Sequence, residues 1–169
     1  MFWRRKSSKT PALQRPDPLE PVHPRVLLAV YNPSCARRGG RLLVEVCGFN
    51  DPLALTRQYV DDLAELSGGY LRYQIVETLQ VERFLPKVDG FCYDADDFLA
   101  RWKGGGPWHE PDSADYHTIL AQLDVPRRVA AGELDELWLM TMPYSGLWES
   151  AMAGRGAFFC NAPPIEGVD

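Results

Sequence analysis

The stretch Leu134-Asp135-Glu136-Leu137-Trp138-Leu139-Met140-Thr141-Met142-Pro143 decides the fold. From Leu137 to Met140 its apolar residues do not alternate with polar ones, so neither face of a strand drawn from it suits water. Runs of this kind belong to parallel sheets covered by helices on both sides. The stretch predicts a strand over 134–142 in a central position, ended by Pro143, which has no N–H to give a ladder. Glycine, aromatic and polar residues crowd the segment from Pro143 to Pro164, and make it the expected site-bearing loop.

Working outward, Val26-Leu27-Leu28-Ala29-Val30-Tyr31 is a second continuous apolar run, closed by Asn32-Pro33. It predicts another strand buried on both faces. Tyr70 to Thr78 sets Leu71, Tyr73 and Ile75 against Arg72 and Gln74, the alternation of a strand. Between these two runs, Asp51-Pro52 places an N-cap and a first-turn proline. Leu55, Tyr59, Leu63 and Leu66 follow at helical spacing, and Gly68-Gly69 ends the helix. Strand, helix and strand in that order predict a parallel pair with a right-handed crossover.

Further helices are expected from Asp94, which caps with Asp97 three residues on and turns Phe98, Leu99 and Trp102 inward, from Ser113, and from Val125 to Gly132. Arg41 to Cys47 suits a short helix or a strand, and 80–93 is expected to be irregular. The fold class is therefore α/β: a small, mostly parallel sheet of about three strands covered by helices.

Residues 1–24 carry prolines at 11, 16, 18, 21 and 24 and a basic start, and are expected to form a disordered tail before a domain spanning 25–169. With 169 residues, 46% of them hydrophobic, the chain is long enough for one cored domain. Its formal charge of −5 is the wrong sign for a nucleic-acid partner. No apolar run reaches the roughly 18 residues of a membrane span. No apolar h-region follows the basic start, so there is no signal peptide as the chain stands and the default compartment is cytoplasmic. Cys35, Cys47, Cys92 and Cys160 form no C-x-x-C pair and no zinc cadence. Free thiols are the simpler reading, although an even count permits two disulfides.

Ligands of open parallel sheets sit beyond the carboxyl ends of the strands. That rule selects Asn32 after the first strand, Glu77 and Thr78 at the close of the second, and Tyr144, Ser145 and Gly146 after the third. A helical turn over 146–152 would bring Glu149 against Ser145, four residues earlier, near Trp148 and Phe158. A carboxylate so placed suits a general acid/base, or simply the start of a helix. Tyr144, Asn32, Asn161 and Ser145 would then orient a small polar substrate. Ser145 lacks the glycines of a nucleophile elbow, since Pro143 and Leu147 stand where they belong. His109, Glu110 and His117 do not have the spacing of a metal-binding helix face, so no metal ligand is assigned. Gly104-Gly105-Gly106 follows a helix and lacks the Lys-Ser/Thr of a phosphate loop, and no cofactor is named by the sequence.

Several unusual blocks occur in order: Phe49-Asn50-Asp51-Pro52, Tyr73-Gln74-Ile75-Val76-Glu77, Lys87-Val88-Asp89-Gly90-Phe91, Asp135-Glu136-Leu137-Trp138, Pro143-Tyr144-Ser145-Gly146, Glu149 to Gly154 and Phe158 to Pro164. Together they resemble an uncharacterised family of mostly secreted bacterial and fungal proteins, over about 25–165. The resemblance implies no reaction. Longer members of that family continue past the double proline and carry signal peptides, so the resemblance implies a shortened copy of the domain. Two functions are expected from the whole reading. One is a hydrolase-like enzyme, or part of one, with Glu149 as acid/base. The other is a non-catalytic binding module or a non-functional truncated copy.

Overall fold

A computed structural model of the protein describes residues 19–168. The strands are β1 (Arg25–Tyr31), β2 (Ser34–Cys35), β3 (Arg41–Leu42), β4 (Gln74–Val81) and β5 (Glu136–Met140). The helices are α1 (Leu43–Cys47), α2 (Pro52–Leu66), α3 (Ala95–Gly104), α4 (Tyr116–Gln122) and α5 (Val125–Ala130). The main sheet has three parallel strands in the order β4-β1-β5. The fold is therefore α/β with a small parallel sheet. The expected tail lies outside the described residues up to 18. Val22 bridges Leu71 in parallel, so hydrogen-bonded structure begins ahead of the expected boundary at Arg25.

The central strand is β1, not the 134–142 run. From Val26 to Tyr31 every residue of β1 is buried, and it pairs on both sides. β5 pairs with β1 alone, and all five of its residues are half-buried. Its lack of a polar face has a different cause. Leu137 and Leu139 pack toward Ile119 of α4, while Trp138 turns to the opposite face and meets Tyr59 and Tyr73 at 5.4 and 5.0 Å between ring centres. Helix and aromatic cover on the two faces makes an edge strand look like a central one.

β4 starts four residues later than expected and runs to Val81. Its alternation of exposed and half-buried residues begins at Leu71, before the ladder to β1 does. Period-2 patterning fixes faces but not ends. Glu77 and Thr78 are thus inside the strand, and Glu77 binds Arg128 of α5 at 2.7 Å.

α2 is capped by Asp51, whose Oδ1 accepts from Leu53 N at 3.0 Å. Its buried side is not the one expected, because Leu55, Tyr59 and Leu66 are exposed. The buried residue is Thr56, whose hydroxyl donates to Pro52 O at 2.8 Å. With its hydroxyl turned back to the helix backbone, Thr56 leaves that polar atom satisfied at a buried position. Arg41 to Cys47 divides between the two options left open, with Arg41–Leu42 pairing Ser34–Cys35 before α1 begins. On the other face of the sheet, Leu27, Ala29 and Tyr31 pack with Ile119, Leu120, Val125 and Leu134. A third cluster, built on Phe84, Tyr93, Phe98, Leu43 and Met142, ties α1 and α3 to the exit of β5.

Several caps and turns use carboxylates. Asp115 caps α4, accepting from Thr118 N at 3.0 Å and Thr118 Oγ1 at 2.6 Å, and these bonds hold its carboxyl below the usual range. The Cys35 thiol and the backbone of Arg37 lower Asp96 likewise, and Phe91 N and His109 lower Asp89. Burial first, then Asp96, pushes the Cys35 thiol up to about 11, so it stays a neutral donor. For each carboxylate the folded value lies below the unfolded one, which is about 3.9 for Asp. The unfolded chain therefore takes the proton first as pH falls. The stabilisation is complete above about pH 5 and drains away as pH drops through the folded values. Thermal melting followed from pH 7 to pH 3 is expected to be level at first and to fall below about pH 4.5. A level curve down to pH 3 would show that these bonds carry no net stability.

Candidate functional site

β1 and β5 end side by side, and the chain leaves β1 toward β4 on one side while β5 lies on the other. This reversal of direction is the switch point at which open α/β sheets bind ligands. Two concavities open there, on either side of the segment that leaves β5. One is a cleft of about 390 Å³ lined by Asp112 and the run from Thr141 to Trp148. The other is a crevice of about 240 Å³ between the strand ends and the start of α2.

The cleft is built on a tight turn. Ser145 is buried, its hydroxyl donates to Met142 O at 2.6 Å, and it lies 2.9 Å from Thr141 Oγ1. Tyr144 has φ +60°, a left-handed conformation that a non-glycine residue adopts at a cost of about 1–2 kcal/mol. Two contacts hold it there. Its ring stacks on Trp108 with 3.8 Å between centres and 11° between planes, and its carbonyl accepts from Lys87 Nζ at 2.7 Å. Gly146, at φ +75°, passes so close to Ser113 and Ala114 that a side chain has no room, and its carbonyl accepts from Ala114 N. Trp148 N donates to Tyr116 Oη at 2.7 Å, which leaves the indole exposed on the rim.

Lys87 carries the floor of this arrangement. Its side chain is 1% exposed, and its ammonium binds Asp112 and Tyr144 O above the ring of Tyr93. Asp112 is 37% exposed and presents its carboxylate to the cleft. Beside this pair, His109 Nε2 lies 2.7 Å from Asp89 Oδ2, and the imidazole stacks on Phe91 at 3.8 Å. Lys87 and Asp89 belong to a block that carries the family resemblance, Lys87-Val88-Asp89-Gly90-Phe91, but neither they nor Asp112 were expected at the site. The available signal was a lone lysine inside the aromatic-rich segment from Phe84 to Tyr93, followed by the Asp89-Gly90 turn.

The expected site residues fall into three places. Tyr144 and Ser145 line the cleft. Asn32 is buried and lines the crevice instead, its Oδ1 accepting from Val44 N at the start of α1. Glu149 and Asn161 meet each other, Asn161 Nδ2 donating to Glu149 Oε2 at 3.1 Å, and both are exposed. No helical turn forms over 146–152, so Glu149 does not face Ser145. Its absence follows from Ser145, whose hydroxyl is drawn back to Met142 O and closes a turn. His109 is held against Asp89, whereas His117 lies exposed on α4 beside Gly167. Among the described residues no three His, Cys, Asp or Glu side chains are grouped as ligands for an ion. The four cysteines are unbridged, and no helix is long and apolar enough to cross a membrane.

No protein-family model, curated protein or solved structure matches the chain.

Proposed function

We propose that the chain is a binding module that takes a neutral, hydroxyl-rich ligand of saccharide type in the cleft between Asp112 and Trp148. The observation that carries this reading is the composition and shape of the cleft. Two partly exposed aromatic side chains, Tyr144 and Trp148, share it with one fixed carboxylate. A sugar ring offers an apolar C–H face to an aromatic plane and hydroxyl donors to a carboxylate, and pockets of this size fix orientation with a few such polar groups. Lys87, beneath the cleft, is already spent on Asp112 and Tyr144 O, so among the described residues lining the cleft an anionic ligand finds no free counter-charge. The left-handed Tyr144 supports the same reading, since backbone strain concentrates where ligands are held.

Calorimetric titration with cellotriose, chitotriose and maltotriose tests it. At least one is expected to bind with micromolar to millimolar affinity, and Trp148→Ala is expected to weaken that binding about tenfold or more. Absence of binding by all three at millimolar concentration, or full binding by the variant, would contradict the assignment.

A hydrolase-like version of this reading has one specific support. Glu149 directly follows Trp148 and is oriented by Asn161 at 3.1 Å, as an acid/base carboxylate would be. In that version incubation with the bound trisaccharide releases new reducing ends, and Glu149→Gln abolishes the release without changing affinity. In the binding version no reducing ends appear.

A further inference from the structure

The crevice at the end of β1 has a chemistry of its own. Its walls include Val30, Val44, Phe49, Leu55, Met140 and Met142. Phe49 and the two thioethers favour an aromatic guest, because sulfur and ring edges attract one another. Polar atoms enter from Asn32, Asn50 and Thr141.

Asn32 is the informative one. It is 5% exposed, and a buried amide is expected to be fully hydrogen-bonded. Its Oδ1 is committed to Val44 N at 3.0 Å, and because that partner is a donor the orientation of the amide is fixed. Its Nδ2 has no partner among the described residues and keeps contact with solvent, so two N–H donors remain free at the wall of the crevice. No Lys or Arg lines the crevice, and Asp51 sits between the lining residues Asn50 and Pro52. The positive end of α2 is already met by the Asp51 cap, so among the described residues an anionic guest finds no free counter-charge. Benzene fills an engineered cavity of about 150 Å³, so about 240 Å³ admits one ring with one further group.

From these features we infer that the crevice is a second ligand site, which takes a neutral aromatic carbonyl compound. The ring lies among Phe49, Met140 and Met142, and the carbonyl oxygen accepts from Asn32 Nδ2. The site shares only Thr141 and Met142 with the saccharide cleft, so the two assignments stand or fall separately.

Benzamide is a suitable probe, followed by amide chemical shifts of the full chain. Saturable shifts are expected at Val44, Phe49, Asn50 and Thr141 and at the Asn32 side-chain NH2. Asn32→Asp keeps an acceptor for Val44 N but replaces both donors with an oxygen. It is expected to melt below the wild type, because a carboxylate at a 5% exposed position is poorly hydrated, and to bind benzamide at least about tenfold more weakly. Leu55→Trp, a change at an exposed helix position on the rim, is expected to block entry. Trp148→Ala is expected to leave benzamide binding unchanged. Shifts confined to the cleft, no saturable shifts, or wild-type affinity in Asn32→Asp would overturn the inference. If Asn32→Asp fails to fold, wild-type affinity in Leu55→Trp would overturn it instead.

Discussion

Asp112→Ala is expected to destabilise the protein by about 3–5 kcal/mol in denaturant unfolding, the cost of leaving a buried charge unpaired. The reason lies with its partner. The Lys87 side chain is 1% exposed, so without Asp112 its charge has only the Tyr144 carbonyl and the Tyr93 ring to face. The reverse change should cost less. In Lys87→Met the abandoned carboxylate is 37% exposed and can be hydrated, and the methionine refills the space along Tyr93. The Tyr144 carbonyl still loses a donor, which is worth about 1–3 kcal/mol. The order Asp112→Ala above Lys87→Met is the distinctive result. Equal costs, or the opposite order, would mean that the pair is more open to water than its geometry indicates.

Gly146→Ala is expected to cost about 3 kcal/mol or more and to abolish ligand binding in the cleft. Two effects add. At φ +75° an L-residue carries the left-handed penalty of about 1–2 kcal/mol. The new Cβ would also lie 2.8 Å from Ser113 N and 2.9 Å from Ala114 N, and these are backbone atoms that cannot swing away. Relief requires moving the 113–114 segment off the turn, which breaks the bond from Ala114 N to Gly146 O. Gly156→Ala is the control, since Gly156 also has positive φ (+85°) but open space around its Cβ position. It should show the conformational penalty alone. If the two variants melt at the same temperature, the close approach at Gly146 is unimportant.

Local signals in the sequence translated well where one residue decides a local geometry. Asp51 and Asp94 cap the helices they were expected to cap, because a carboxylate ahead of a helical run has free N–H groups within reach. β1 was legible because six successive apolar residues, closed by a proline, suit a short strand covered on both faces. Position within the sheet was not legible. β5 looks central by composition, yet it owes its cover to Tyr59 and Tyr73, which lie 79 and 65 residues earlier in the chain than Trp138 (138 − 59 and 138 − 73). The site was half legible for the same reason. Tyr144 and Ser145 follow a strand and could be placed by rule. Lys87 and Asp112 are 25 residues apart, and no spacing marks them as a pair. Asn32 was expected near the other site residues and instead faces a separate crevice, because successive side chains at a strand end point to opposite faces.

The cleft between Asp112 and Trp148 is proposed to receive a neutral hydroxyl-rich ligand. Amide chemical shifts of the full chain, recorded during titration with the best-binding trisaccharide, test it most directly. The expected result is a set of saturable shifts concentrated at Asp112 and from Thr141 to Trp148, with the Trp148 indole N–H among the largest. Saturable shifts that cluster elsewhere, or none at any residue of this run, would contradict it.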